Sequence, residues 1–148
     1  LSIATLPGLR ERTVTLNGFS KTYAMTGWRV GYLAAPGDFV AKVTEPRHTL
    51  SINTCTISQY AALAALTGPQ APVQQMLDAY AERRAWLMPA LTAAGFTYFH
   101  PGGAFYIYTN ISSSGLPAPA FCERLLRETG VMVFPGTMFG DTSTDYIR

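Results

Sequence analysis

Charge is scarce in this chain. Asp, Glu, Lys and Arg make up only 14% of its 148 residues and leave a net charge of +2. A field that weak does not argue for a nucleic-acid or membrane-surface partner, both of which draw on dense basic patches. Histidine and cysteine are scarcer still, at two residues each. His48 and His100 stand without an acidic or cysteine partner at ligand spacing, so no metal site is expected. Cys55 and Cys122 form neither a metal motif nor a redox pair. They read as free thiols of a reducing compartment, with a single disulfide as the alternative. No apolar run reaches the roughly 18 residues of a membrane helix. No signal-peptide pattern opens the chain, which leads to the expectation of a cytoplasmic protein. No Ser/His/Asp arrangement stands out, and the glycines at 102–103 and 136–140 make neither a dinucleotide nor a P-loop fingerprint.

What is present is apolar. The chain is 48% hydrophobic, which fits a globular protein with a real core rather than a disordered one. It starts at Leu1 and stops at Arg148, straight after a strand-like run, and neither end has the polar character of a domain boundary. The expectation is a piece of a longer protein.

The informative stretch lies early. Thr13-Val14-Thr15-Leu16 reads as a strand, and Asn17-Gly18 breaks it with turn chemistry. Residues 29–35 read as a second strand stopped by Pro36-Gly37. Lys21 is therefore placed in a connection near strand ends, where α/β proteins put their sites. A lysine in an apolar setting loses its proton more readily, and the neutral amine attacks carbonyls. Arg29 offers a planar cationic fork suited to phosphate, and Ser20 a hydroxyl for the same anion. A carbonyl-seeking lysine with a phosphate clamp is what pyridoxal phosphate requires. The same residues also fit a surface lysine and a structural ion pair.

The whole string separates these readings. Ser20-Lys21-Thr22-Tyr23-Ala24-Met25-Thr26-Gly27-Trp28-Arg29-Val30-Gly31-Tyr32 closely resembles the lysine signature of class I/II pyridoxal-phosphate-dependent aminotransferases, fold-type I enzymes of the aspartate/aromatic kind. The resemblance implies that Lys21 is the Schiff-base lysine and that Arg29 holds the phosphate. Some members carry a phosphate-binding serine three residues before the lysine; Gly18 stands there in this chain, and Ser20 is the hydroxyl candidate. Gly103-Ala104-Phe105-Tyr106 resembles the family's small-domain strand. Pro135-Gly136 to Phe139-Gly140, followed by Tyr146-Ile147-Arg148, resembles the segment that delivers the substrate arginine. By that resemblance Arg148 binds the α-carboxylate of the amino acid.

Between these motifs the chain alternates strands and helices. Asp38 is expected to cap a helix that Pro46 interrupts, and residues 58–66 read as a short alanine-rich helix. A long amphipathic helix is expected over 72–94, kinked or ended near Leu87 by Pro89. Strands are expected at 96–99, 104–108, 131–134 and 146–148, with a helix over 118–128. The expected fold class is α/β. The resemblance implies that residues 1–70 form the C-terminal part of a cofactor domain, with a mixed or mostly parallel sheet expected. Residues 71–94 form a connecting helix, and 95–148 an incomplete, substrate-clamping α+β domain. The function the resemblance implies is transfer of an amino group from an L-amino acid to a 2-oxo acid, in a homodimer whose interface lies near residues 58–66. A pyridoxal-phosphate lyase or synthase of the same fold, and an aminotransferase-like effector domain of a transcription regulator, stay open as alternatives.

Overall fold

The computed structural model describes residues 2–140 and 142–148; Leu1 and Asp141 lie outside them, so the part expected over residues 1–70 is described only from Ser2 on. The chain divides into two compact units, the first ending at Met76 and the second running from Leu77 to Arg148.

In the first unit, β1 (Thr15–Gly18) pairs antiparallel with β2 (Gly31–Ala34). The expected mixed or mostly parallel sheet is represented here by this antiparallel ladder alone among the described residues. Asn17-Gly18 does not break the strand as expected, because Asn17 pairs with Tyr32 and Gly18 with Gly31. Gly31 serves close approach: a Cβ there would stand 2.8 Å from the Asn17 carbonyl oxygen.

Between the strands lies α1 (Phe19–Thr22), a single turn, followed by a 3-10 turn at Thr26–Trp28. Next comes α2 (Gly37–Ser51), preceded by Pro36 at the cap position. Asp38 sits in its first turn rather than capping it by a side-chain bond, where its charge still favours the helix dipole. Pro46 does not interrupt α2: it removes one amide donor, and the flanking helix runs on to Ser51.

The helix α3 (Thr56–Thr67) extends the expected alanine-rich segment at both ends. Its small side chains let it close on the signature stretch. Phe19, Met25 and Ala62 form the buried cluster, with Tyr23, Val30, Ala61 and Ala65 packed around it. The helix α4 (Ala71–Ala93) contains Pro89 without ending there, and the division between the units falls within it.

The second unit holds a three-stranded antiparallel sheet, β3 (Thr97–Tyr98), β4 (Thr109–Asn110) and β5 (Tyr146–Ile147), with β4 in the middle. The helix α5 (Ala118–Thr129) buries Ala118 and Cys122 against Ile111 and Ile147, with Phe96, Phe121 and Val133 around them. Gly130 ends α5 at φ 74°, a left-handed cap that glycine adopts without steric cost. The expected strand over 104–108 is not a ladder. Ala104 turns left-handed at φ 59°, and the rings of Phe105 and Tyr106 pack on each other at 4.3 Å. The expected strand over 131–134 is reduced to its end: Phe134 and Arg148 exchange backbone hydrogen bonds of 3.0 and 2.8 Å, beside a bridge between Pro135 and Ile147.

Among the described residues no helix is long and apolar enough to cross a membrane, and no three His, Cys, Asp or Glu side chains gather as a metal site.

Candidate active site

Phe19 fixes the geometry of the signature stretch. Its ring is buried, 3% exposed, and meets Tyr23 at 5.5 Å and Tyr32 at 5.8 Å. One helical turn from a buried anchor leaves its successors outward, so Ser20 is half-buried and Lys21 exposed. The apolar surroundings expected for Lys21 are thus not found in this chain; Phe19 and Met25 take the buried side.

The backbone amide of Phe19 donates to the carbonyl of Val30 at 3.3 Å. That bond continues the β1–β2 ladder by one step. It draws the residues next to each partner, Ser20 and Arg29, to the same end of the hairpin. Between them, Ala24 donates to Lys21 at 3.3 Å just past α1, and Trp28 donates to Met25 at 3.3 Å in the 3-10 turn. Tyr23 is tied down from the far side: its hydroxyl donates to Gln70 Oε1 at 3.4 Å, and the Gln70 amide donates to the carbonyls of Ala65 and Gly68 at 2.9 Å each.

Arg29 adopts φ 51° and ψ 46°, a left-handed conformation uncommon outside glycine. Its guanidinium donates to the Thr26 carbonyl at 3.0 Å and is otherwise exposed. Between residues 13 and 37 the charged side chains are Lys21 and Arg29, both cationic. A hydroxyl, an ammonium and a guanidinium with no carboxylate interspersed suit a phosphate dianion attached to a carbonyl compound. The donor set therefore fits pyridoxal phosphate.

Arg148 belongs to the second unit and is placed by its neighbours there. Its guanidinium carbon lies over the rings of Phe139 at 3.9 Å and Tyr106 at 4.2 Å, with Phe134 further off at 5.9 Å. Nearby, Tyr108 stacks on Tyr146 at 5.0 Å and points its hydroxyl at Gly136. Gly136 admits no side chain: a Cβ would lie 2.5 Å from the Ser143 carbonyl and 2.6 Å from the Tyr108 hydroxyl. The sequence drew attention to Arg148 and placed Tyr106 and Phe139 in two motifs without assigning either a role. Their signal, two aromatics in motifs flanking an arginine, lies in separate segments and closes only in three dimensions.

The titratable groups that depart from ordinary values lie elsewhere. The Cys55 thiol is lowered, chiefly by the backbone amide of Ser58 and then that of Ile57 at the start of α3, while burial raises that of Cys122. Both cysteines are free.

The family model for aminotransferase class I and II matches residues 2–148. An aromatic-amino-acid aminotransferase of Thermococcus litoralis is 42% identical over 151 residues, and an aspartate aminotransferase of Pyrococcus abyssi 41% over 149. Each match covers 99% of this chain and 38% of the relative, so the chain spans well under half of their length. Among solved structures, an aromatic aminotransferase from Pyrococcus horikoshii superposes with a TM-score of 0.89 at 40% identity, covering 99% of this chain and 40% of that one. With the signature stretch on its strand–turn–strand frame and a family match across nearly all its residues, the chain belongs to the class I and II aminotransferases.

Proposed function

We propose that this chain is part of a pyridoxal-phosphate-dependent aminotransferase that moves an amino group from an L-amino acid to a 2-oxo acid. The observation that carries the reading is the frame just described. One turn of helix presents Lys21, and the Phe19–Val30 hydrogen bond brings Ser20 and Arg29 to one end of the same hairpin. In this reading Lys21 supplies the amine that attaches to the cofactor's carbonyl carbon, and Arg29 with Ser20 holds its phosphate. When bound, the cofactor supplies an electron sink for the substrate's Cα. Lys21 would serve as the general base that takes the proton from that Cα and as the acid that returns one. Arg148 binds the substrate α-carboxylate through two parallel N–H groups, which fixes the orientation of Cα.

The relatives are aspartate and aromatic-amino-acid aminotransferases, which supports amino acid and 2-oxo acid substrates. No feature of the chain favours the lyase or regulator alternatives over this reading. Within it, residues 1–70 belong to the cofactor domain, 71–94 to a connecting helix and 95–148 to the domain that clamps substrate. The span of α4 and the grouping of β3, β4 and β5 after it support that division. A homodimer is supported by the exposed stripe Ile57, Tyr60 and Leu63 on α3, and a cytoplasmic setting by the two free cysteines.

The chain offers an internal control, because Lys21 and Lys42 are its two lysines. Borohydride reduction of the cofactor-loaded full-length protein, followed by peptide mapping, should leave the pyridoxyl group on Lys21. A label on Lys42, or on a lysine outside this chain, sinks the assignment.

A further inference from the structure

We infer that Tyr106 and Phe139 are positioning residues for Arg148, setting the affinity for a substrate's carboxylate without touching the reacting atoms. The inference rests on the reading of Arg148 as the carboxylate binder. An arginine side chain has several rotatable bonds, and ordering them offsets what a carboxylate contact contributes. Here much of that ordering is already done. The backbone of Arg148 is held by its two hydrogen bonds with Phe134. Phe139 and Tyr106 each bring a ring to the guanidinium carbon, at 3.9 and 4.2 Å.

The rings are themselves braced. Tyr106 packs on Phe105 at 4.3 Å, and Phe105 on Tyr80 of α4 at 5.9 Å. The Phe139 amide donates to the Gly136 carbonyl at 2.8 Å, within the turn where Gly136 leaves no space for a side chain. Among the described residues no carboxylate pairs with Arg148; the ion pairs present are Arg124–Glu128 and Arg127–Glu123 on α5. Aromatic rings satisfy a guanidinium over its π face but leave its N–H donors available. A carboxylate then finds a cation already oriented and partly stripped of water.

The test uses the full-length, cofactor-loaded enzyme and compares amino acids with amines lacking a carboxylate. Phe139→Leu and Tyr106→Leu should each raise KM for amino acids about tenfold while leaving kcat within about threefold, since a contact made equally in ground and transition states is lost. Phe139→Tyr and Tyr106→Phe, which keep the ring faces, should restore the wild-type KM. Amines should be indifferent to all four changes. A readout independent of turnover is the ring-current shift of the Arg148 Cδ protons, upfield in the wild type and relieved in either leucine variant. Phe139→Met replaces Phe139→Leu if the latter lowers the melting temperature. Leucine variants with unchanged KM and unchanged proton shift overturn the inference. Equal losses for amino acids and amines also overturn it, because the rings are then structural. If Arg148→Lys costs amino acids their advantage while the leucine variants are silent, only the positioning role falls. If Arg148→Lys is itself silent, the carboxylate reading falls with it.

Discussion

Arg29 occupies a backbone conformation that its own side chain disfavours. At φ 51° a residue with a Cβ costs about 1 kcal/mol relative to glycine, and the chain does place glycines close by, at 27 and 31. Local stability alone would favour glycine at 29 as well. An arginine kept there, with one N–H on the Thr26 carbonyl and the rest of the guanidinium exposed, is accounted for by what it binds. Arg29→Gly should separate the two effects. In the full-length protein without cofactor it should hold or raise the melting temperature, because strain is relieved and the lost hydrogen bond is an exposed one. Cofactor affinity should fall by about 2–5 kcal/mol, the loss typical of one partner of a well-placed charge pair. Titration of both proteins with pyridoxal phosphate, followed by absorbance, reads the second quantity. A variant that melts earlier yet binds as tightly as the wild type would make Arg29 a structural residue.

At the scale of elements, the helices were legible where side-chain spacing and end signals agreed. The alanine-rich run predicted α3, Gly130 marks the end of α5, and residues 72–94 predicted α4 to within a residue. Pro46 was over-read as an interruption, and α4 runs on past Pro89. A proline in a helix interior forfeits one hydrogen bond and strains its neighbourhood without having to end the helix. In α2 the amide that would reach the Lys42 carbonyl is missing at Pro46, yet helix continues for five residues beyond it. Because Val43 is half-buried and every other residue of α2 is exposed, the stability of the helix is largely local. Pro46→Ala should therefore slow amide hydrogen exchange across residues 42–50 by about tenfold to a hundredfold, for a gain of roughly 1–3 kcal/mol. Unchanged exchange would mean that tertiary contacts, not helix propensity, hold this segment. The strands were the harder elements. Asn17-Gly18 carries the composition of a turn, but the pairing of Gly18 with Gly31 needs backbone room that composition does not express. Residues 104–108 carry the composition of a strand, but their rings turn to Tyr80 and Arg148. The candidate site divides the same way. Lys21 and Arg29 are singled out by one continuous stretch of sequence, whereas the setting of Arg148 depends on residues 106, 134 and 139, which only folding assembles.

For the whole molecule the decisive quantity is exposed apolar surface. The chain exposes 11058 Å², whereas two free-standing compact domains of half its mass would expose about 9,000 Å² together. The excess is not polar. Leu50 is 86% exposed, Leu16 74%, Trp86 72% and Phe99 79%. The β1–β2 ladder is two strands wide, so both its edges carry unpaired backbone groups. Surfaces of this kind are ordinarily covered by further chain or by another subunit. The relatives are more than twice as long, so such cover is available in proteins of this family. The 148-residue chain on its own should therefore self-associate. Sedimentation velocity between about 10 and 100 µM should show species larger than a monomer, and a hydrophobic dye should fluoresce on binding. Supplied with pyridoxal phosphate, L-amino acids and 2-oxo acids, it should produce no turnover above the cofactor alone. Lys21 in the isolated chain is exposed, and an exposed side chain has no walls to orient a substrate. A monodisperse monomer that binds no dye would show that the apolar faces are tolerated in water. Turnover by that monomer would go further, and would place the whole active site within these residues.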